Sequence, residues 1–575
     1  MDHGRPRRAA AFLCLPLAAL LWGCRPAGER PAVPAGPGVK AAVPARTGGR
    51  FVFPLPIEPA TLNFVSGTDI ASAVVLRVIG EPLVDHDVRL KTTPCLASSW
   101  DLSGDGRVLT FHLREGVRFH DGAPFTSDDV LFTYERIVDP KSRAVGRADG
   151  FQTVERVEAL DPGTVRVVYR EPYAPALRSW EVPILPAHLY RGADFATAKQ
   201  NRAPVGTGPF RFVSWEPGQQ IVVEANPGYW GGVPSIDTFV FRVMPAPETN
   251  LPALLAGEID FARLSPTQWE ARRHDPEFQR RFRDVGYVPL YFNFIVWRGD
   301  GSNPFFTDPR VRRAMTLALD REGYVRSVLK GLGRVTASPF QDLLPLDAAH
   351  EPSAESKDPA GTAAADLPEH QGRGARPLAH DPALAGRLLD EAGWRIDPRS
   401  GLRTRAGRQF RFTLLIYSSG ENHVQFAQVA QDDLRRLGIR MSIERLDWQT
   451  LWSRLKSGSF QAALSGMIPA PDPDSIYGLL HSSQIQGGQN YASYRDAETD
   501  AWLDAGRRTV DAVVREGLYR RVEERLVDQQ PYTFLFNPAV PAVLNARFEG
   551  IEPSPLGLLG SSPGAAGLRL RREPR

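Results

Sequence analysis

Three short strings hold residue types that can do chemistry. Ser453-Arg454-Leu455-Lys456 sets a hydroxyl three residues before an amine, the spacing of serine acyl-transfer enzymes. It falls within helical periodicity, and no S-D-N or K-T-G string accompanies it, so it reads as a helix surface. His120-Asp121 joins an imidazole to a carboxylate, the parts of general acid–base work. Gly122 comes directly after, and a tight turn accounts for the string better. Gly206-Thr207-Gly208 offers backbone N–H groups to a phosphate. A phosphate loop needs more glycines and usually a lysine before a helix, whereas here Pro209-Phe210 leads into a strand. H-E-x-x-H and Walker A strings are absent, and the eleven histidines are scattered. Cys14, Cys24 and Cys95 form no C-x-x-C pair and stand near no histidine at ligand spacing. The expectation is no enzyme, no metal site and no cofactor.

The elements that position these strings alternate between strand and helix. Leu109, Phe111 and Leu113 alternate with Thr110, His112 and Arg114, which predicts a strand with one face on a core. Thr126 can cap the next helix with Asp129 three residues on, and Val130, Tyr134 and Ile137 share a face. Asp308 caps and Pro309 opens a helix that turns Val311, Ala314, Met315 and Ala318 inward. A strand at 410–416, a helix at 426–437 stopped by Gly438, and a strand at 441–443 imply parallel sheet with crossover helices. Asp447 caps the helix that carries Ser453, residues 500–529 read as helical, and 531–544 as strands returning to the first lobe.

With 575 residues the chain exceeds what one core fills, so two or more lobes are expected. Its 42% hydrophobic and 23% charged content is that of a globular protein. A net charge of +3 over this length argues against a dedicated nucleic-acid binder. At the N-terminus Arg5, Arg7 and Arg8 precede a short apolar run, Ala9 to Trp22, too short to span a bilayer. Leu21-Trp22-Gly23-Cys24 then resembles a lipobox, with Cys24 as the acylated residue, although bulky Trp22 is off-pattern. Residues 25–49 are Pro/Ala/Gly-rich and read as a flexible tether. Residues 348–376 read as a disordered surface insertion.

The string LASSWDLSGDGRVLTFHLREGVRFHDGAPFTSDDV, from Leu96, closely resembles the signature of the family 5 extracellular solute-binding proteins, the peptide- and nickel-type receptors of bacterial ABC importers. Val205-Gly206-Thr207-Gly208-Pro209-Phe210 is similar to that family's V-G-T-G-P turn. The segment from Asp308 through Arg321 and the helix opened by Asp381-Pro382 resemble further family segments. The resemblance implies an α/β, type II periplasmic-binding-protein-like fold, with two lobes, an extra domain and a ligand cleft between the lobes. Its parts would be a signal peptide with lipobox (1–24), the tether (25–49), lobe I (50–90 and 201–290) with an extra domain inserted at 91–200, lobe II (291–530), and a return to lobe I with the C-terminal tail (531–575).

The resemblance further implies a monomeric receptor, lipid-anchored in the periplasm or on the cell surface. It would capture an oligopeptide or similar organic solute and deliver it to an ABC permease complex. A surface lipoprotein used for sensing or adhesion is the alternative. In peptide-binding relatives an Asp in the loop after a second-lobe strand pairs with the ligand's α-amine. The matching loop here is 466–477, and that Asp would fall near Pro469, where no acid stands. Either Asp472 substitutes or the ligand lacks a free α-amine, since a buried ammonium needs a partner. The ligand-binding candidates are Asn293, Trp297, Trp448, Met467, Asp472 and Tyr477. For each aromatic a core role is the competing reading, because aromatics bury much area either way.

Overall fold

The computed structural model describes residues 48–571 apart from 145, 341–342, 345–373 and 419. The expected signal peptide with Cys24, nearly all of the tether and all but the last three residues of the 348–376 insertion lie outside the described residues.

Among the described residues, three sheets of four or five strands organise the fold. In the first, Arg50–Leu55 pairs in parallel with Thr238–Val243, which runs antiparallel to Gln220–Ala225, itself antiparallel to Phe210–Glu216. The second has the order Arg440–Leu446, Arg411–Tyr417, Ala462–Met467, Phe292–Trp297, Tyr532–Phe534. Its first three strands are parallel and are joined by the helices Glu421–Arg436 and Trp448–Ser457. Phe292–Trp297 runs antiparallel to Ala462–Met467, and Tyr532–Phe534 antiparallel to Phe292–Trp297. The third sheet is antiparallel: Ala97–Leu102, Val108–Leu113, Thr164–Tyr169, Val154–Asp161.

The strand Phe292–Trp297 is buried at every position. Phe292, Phe294 and Val296 enter one apolar cluster, Ile295 and Trp297 the other, so this sheet is covered on both faces. The first sheet divides likewise, with Phe51 and Phe53 on one side and Val52 and Val240 on the other. Leu109, Phe111, Val165 and Trp180 of the third sheet's region belong to the same buried cluster as Phe51 and Phe239. Residues of the expected extra domain and of the first sheet therefore share one contiguous core.

Local signals translate into local structure. Asp129 Oδ2 accepts from the Thr126 N–H at 2.9 Å at the start of the helix Ser127–Val138, and its Oδ1 accepts from the Ala187 N–H at 2.9 Å. Asp308 caps Pro309–Ala318 by accepting from the Arg310 N–H. Arg312 is buried and donates to the carbonyls of Phe306, Thr307, Gln529 and Gln530, so it is a structural tie. The stretch 531–544 divides instead of returning as a whole. Tyr532–Phe534 completes the second sheet, and Ala542–Asn545 pairs with Phe261–Arg263 and Phe282–Asp284. Alternation marks both as buried strands but carries no label for the sheet each will join.

Candidate functional site

The parallel strands of the second sheet end at Tyr417, Leu446 and Met467. In open α/β sheets, ligands bind outside the carboxyl ends of such strands. Trp448 opens the helix after Leu446 and is 45% exposed. Its ring stacks on Trp452 at 5.8 Å and meets the edge of Tyr417 at 5.8 Å, forming an aromatic shelf. Met467 is half-buried at the end of its strand and pairs with Phe292. Asn293, on the neighbouring strand, is nearly fully buried. Its Oδ1 accepts from the Tyr291 hydroxyl at 2.9 Å and from His423 Nε2 at 2.8 Å, while its amide donates to the Phe536 carbonyl. Burial holds His423 down to about 4, so the ring is neutral and Nε2 carries its proton toward Asn293. Nδ1 is left buried without a hydrogen bond among the described residues. A Cβ at Gly466 would lie 2.1 Å from the Tyr291 hydroxyl, so only glycine lets that ring sit against the sheet edge.

Asn293, Trp448 and Met467 thus share one edge of the second sheet. The other three candidates do not lie there. Trp297 is fully buried, packs on Phe306 and Phe412, and donates from Nε1 to Thr533 Oγ1 at 2.8 Å. Its place on an inward-facing strand position makes it core. Asp472 is taken by Arg515, which donates to both carboxylate oxygens at 2.6 and 2.9 Å. Burial pushes the Asp472 carboxyl up, but Arg515 outweighs it and holds the group below the usual range. That acid is not free to receive an ammonium. The Tyr477 hydroxyl donates to Asp504 at 3.1 Å and its ring lies under Arg507 at 3.6 Å, so it belongs to the packing of the helix Ala497–Arg508. Tyr291 and His423 escaped the sequence reading, because nothing in one chain links two residues so far apart.

A cavity of about 720 Å³ opens between the first sheet's region and the second. Phe53, Leu55, Ile70 and Val74 line it on one side, and Val328, Leu329, Asn422 and Gln425 on the other. Asn422 adjoins His423, which connects the cavity to the sheet edge. The volume lies within the range of small-molecule sites.

The three strings with chemical potential are structural. His120 donates from Nε2 to the Gly208 carbonyl at 3.0 Å and accepts at Nδ1 from the Gly206 N–H, with burial holding it at about 4. The Gly206–Gly208 turn packs on the end of the helix Ile70–Ile79, whose Ile79 carbonyl accepts from the Gly208 N–H. Ser453 and Lys456 are exposed on their helix. Gly560-Ser561-Ser562-Pro563-Gly564 fits the spacing G-x-S-x-G, but its serine lies in a bend rather than in a turn from strand to helix. Among the described residues no group of three His, Cys, Asp or Glu is placed to hold a metal ion.

Known proteins share this fold. The model of bacterial extracellular solute-binding proteins, family 5 middle, matches residues 91–488. The chain is 32% identical to Protein XP55 of Streptomyces lividans, over 84% of this chain and 87% of that protein. It is 29% identical to the oligopeptide-binding protein AppA of Bacillus subtilis, over 90% and 91%. The structure of that AppA in complex with a nonapeptide superposes with a TM-score of 0.72 at 26% identity, covering 91% of this chain and 99% of the other.

Proposed function

Because this chain belongs to the family 5 bacterial extracellular solute-binding proteins, we propose that it is the receptor of an ABC importer, capturing an oligopeptide or similar organic solute outside the cytoplasmic membrane. On this reading it is a monomer, lipid-anchored through Cys24, and hands its ligand to a permease. The observation that carries the reading is the cavity between two sheet systems, whose lining residue Asn422 adjoins the His423–Asn293 polar cluster at the strand ends.

The physics of such a receptor needs no bond to be made or broken. A ligand held between lobes contacts both, binds the closed form more tightly than the open one, and so shifts the population toward closure. Trp448 and Tyr417 supply a broad apolar face. The Asn293 side chain, bonded to Tyr291, His423 and the Phe536 carbonyl, fixes the neutral His423 ring in place, and the ring's Nδ1 is the acceptor left over, without the desolvation cost of a charge.

The test is native mass spectrometry of the purified protein together with a thermal-shift screen of peptides, sugars and metal ions. A receptor retains a bound species or is stabilised in step with ligand concentration, by about 2.7 kcal/mol at one hundred times Kd. If nothing binds across the panel, the import reading falls and sensing or adhesion takes its place.

A further inference from the structure

The two ends of the described chain meet at one pole of the body. A Cβ at Gly49 would lie 3.2 Å from Leu570 Cδ1. The short strand Arg569–Leu570 pairs with Phe548–Glu549, the Arg571 N–H donates to the Arg547 carbonyl, and the Ala546 N–H donates to the Arg281 carbonyl. These contacts stitch together four segments, and each of them brings arginine. Arg50, Arg281, Arg547, Arg569 and Arg571 are exposed, and Arg283 is half-buried. Asp260 engages Arg547 at 2.6 Å and Glu549 engages Arg569 at 3.0 Å, whereas Arg50 and Arg571 make no ion pair among the described residues. Burial first, and then the nearby charge of Arg571, hold the Arg283 guanidinium below its usual range, with Glu549 and Glu552 the weaker opposing charges.

The sequence adds charge of the same sign at both exits from this pole. Residues 25–49 hold Arg25, Arg30, Lys40 and Arg46 against Glu29 alone, and residues 568–575 hold Arg569, Arg571, Arg572 and Arg575 against Glu573 alone. Together the two segments carry a net +6 in a chain whose total is +3, so everything else is net acidic. Basic segments joined to one pole of an otherwise acidic body fit an extended negative surface better than a small anion. We propose that this pole is a docking face for anionic phospholipid headgroups, which lays the body on the membrane by its tether end. A flexible coil of the length of residues 25–49 spans about 25–30 Å, so a chain anchored at Cys24 keeps the pole within reach of the bilayer. A basic patch beside an acyl anchor adds a second, electrostatic hold. Arginine suits the task because its planar fork meets phosphate oxygens two at a time. The proposal goes beyond the receptor reading, and the solute plays no part in it.

The experiment uses the full chain carrying Cys24→Ser, which takes no acyl chain, so the result stands apart from the proposed anchor. Its partitioning onto sedimented vesicles of phosphatidylcholine alone is compared with that onto vesicles containing about one third phosphatidylglycerol. The expected preference for the anionic vesicles is about tenfold or more at low salt, and it should vanish near 1 M salt, where charges are screened within about 3 Å. Arg569→Gln, Arg571→Gln, Arg572→Gln and Arg575→Gln together should cut the preference below about threefold. So should Arg30→Gln, Lys40→Gln and Arg46→Gln together, which change no residue of the described body. Arg399→Gln, Arg408→Gln, Arg440→Gln and Arg445→Gln, exposed arginines of the second sheet's region, remove as much charge as the first set and should leave the preference intact. An unchanged Tm checks the fold of each variant. The proposal is overturned if the parent binds both vesicles alike, if either terminal variant keeps the preference, or if the third variant loses as much. Tighter binding to soluble heparin than to the anionic vesicles would also overturn it, and make the face one for polysaccharide. None of these outcomes bears on solute binding, which the screen of peptides, sugars and metal ions reads separately.

Discussion

Asp472 and Glu81 are both buried acids, and their surroundings set them in opposite directions. Asp472 receives two hydrogen bonds from a guanidinium and stays ionised. Glu81 sits among neutral donors, accepting from Tyr229 Oη and Trp230 Nε1 at 2.8 Å each. Burial outweighs those hydrogen bonds and raises its carboxyl to about 7 from the ordinary 4.5. Between these two values the folded chain keeps a proton that the unfolded chain has released, so Glu81 makes stability fall as pH rises from about 4.5 to about 7. Urea-unfolding midpoints of wild type and Glu81→Gln, measured across that window, should diverge, with the variant gaining on wild type as pH rises. Parallel curves would mean that Glu81 ionises alike in both states. The sequence shows Glu81 only as part of a Glu-Pro-Leu turn; its environment comes from residues some 150 positions away.

At the scale of elements, caps and turns were legible. Thr126, Asp308 and Asp447 stand where their helices begin, because capping is a contact between near neighbours in sequence. The string at 205–210 was legible as a turn, but the reason for its glycines was not. A Cβ at Gly206 would come within 2.1 Å of the Ile79 carbonyl oxygen, and one at Gly208 within 2.7 Å. Gly206→Ala should therefore force apart the turn and the helix Ile70–Ile79, at a cost of about 1–3 kcal/mol, read as a lower urea midpoint with an unchanged slope. A variant as stable as wild type would show that this packing yields freely.

For the whole molecule, the sheet systems also meet on the side of the third sheet. Leu90 is held at φ 64°, packs against the second sheet's core and has its carbonyl bound by Arg178. Arg508 pairs with Glu171 at 2.9 Å, and Val510 and Pro172 both lie beside the Gly106 turn. The exposed ion pair contributes well under about 1 kcal/mol, so Leu90 is the stronger contact, at about 1–2 kcal/mol for a half-buried leucine. Leu90→Ala combined with Glu171→Ala should let the ligand-free protein open, seen as a larger radius of gyration in solution scattering. The same change should weaken apparent ligand affinity about tenfold, because 1.4 kcal/mol in closure is tenfold in the competent population. An unchanged radius would show that this seam does not govern opening.

The features legible in the chain alone are local or repetitive. Period-two and period-3.6 patterns placed the strands and helices, caps and glycines marked their ends, and long family-like strings pointed to the fold. These signals persist in one chain because they act between neighbours or along a face. Assembly in three dimensions settled which partner each face and charge would meet. It sent Trp297 inward, gave Asp472 to Arg515, joined Tyr532–Phe534 to the second sheet, and brought Glu248 and Arg263 to one cavity with Asn422. A buried strand position requires cover without specifying its source, and a charge requires a counter-charge without specifying its distance along the chain. Packing supplies both answers at once, when the lobes assemble.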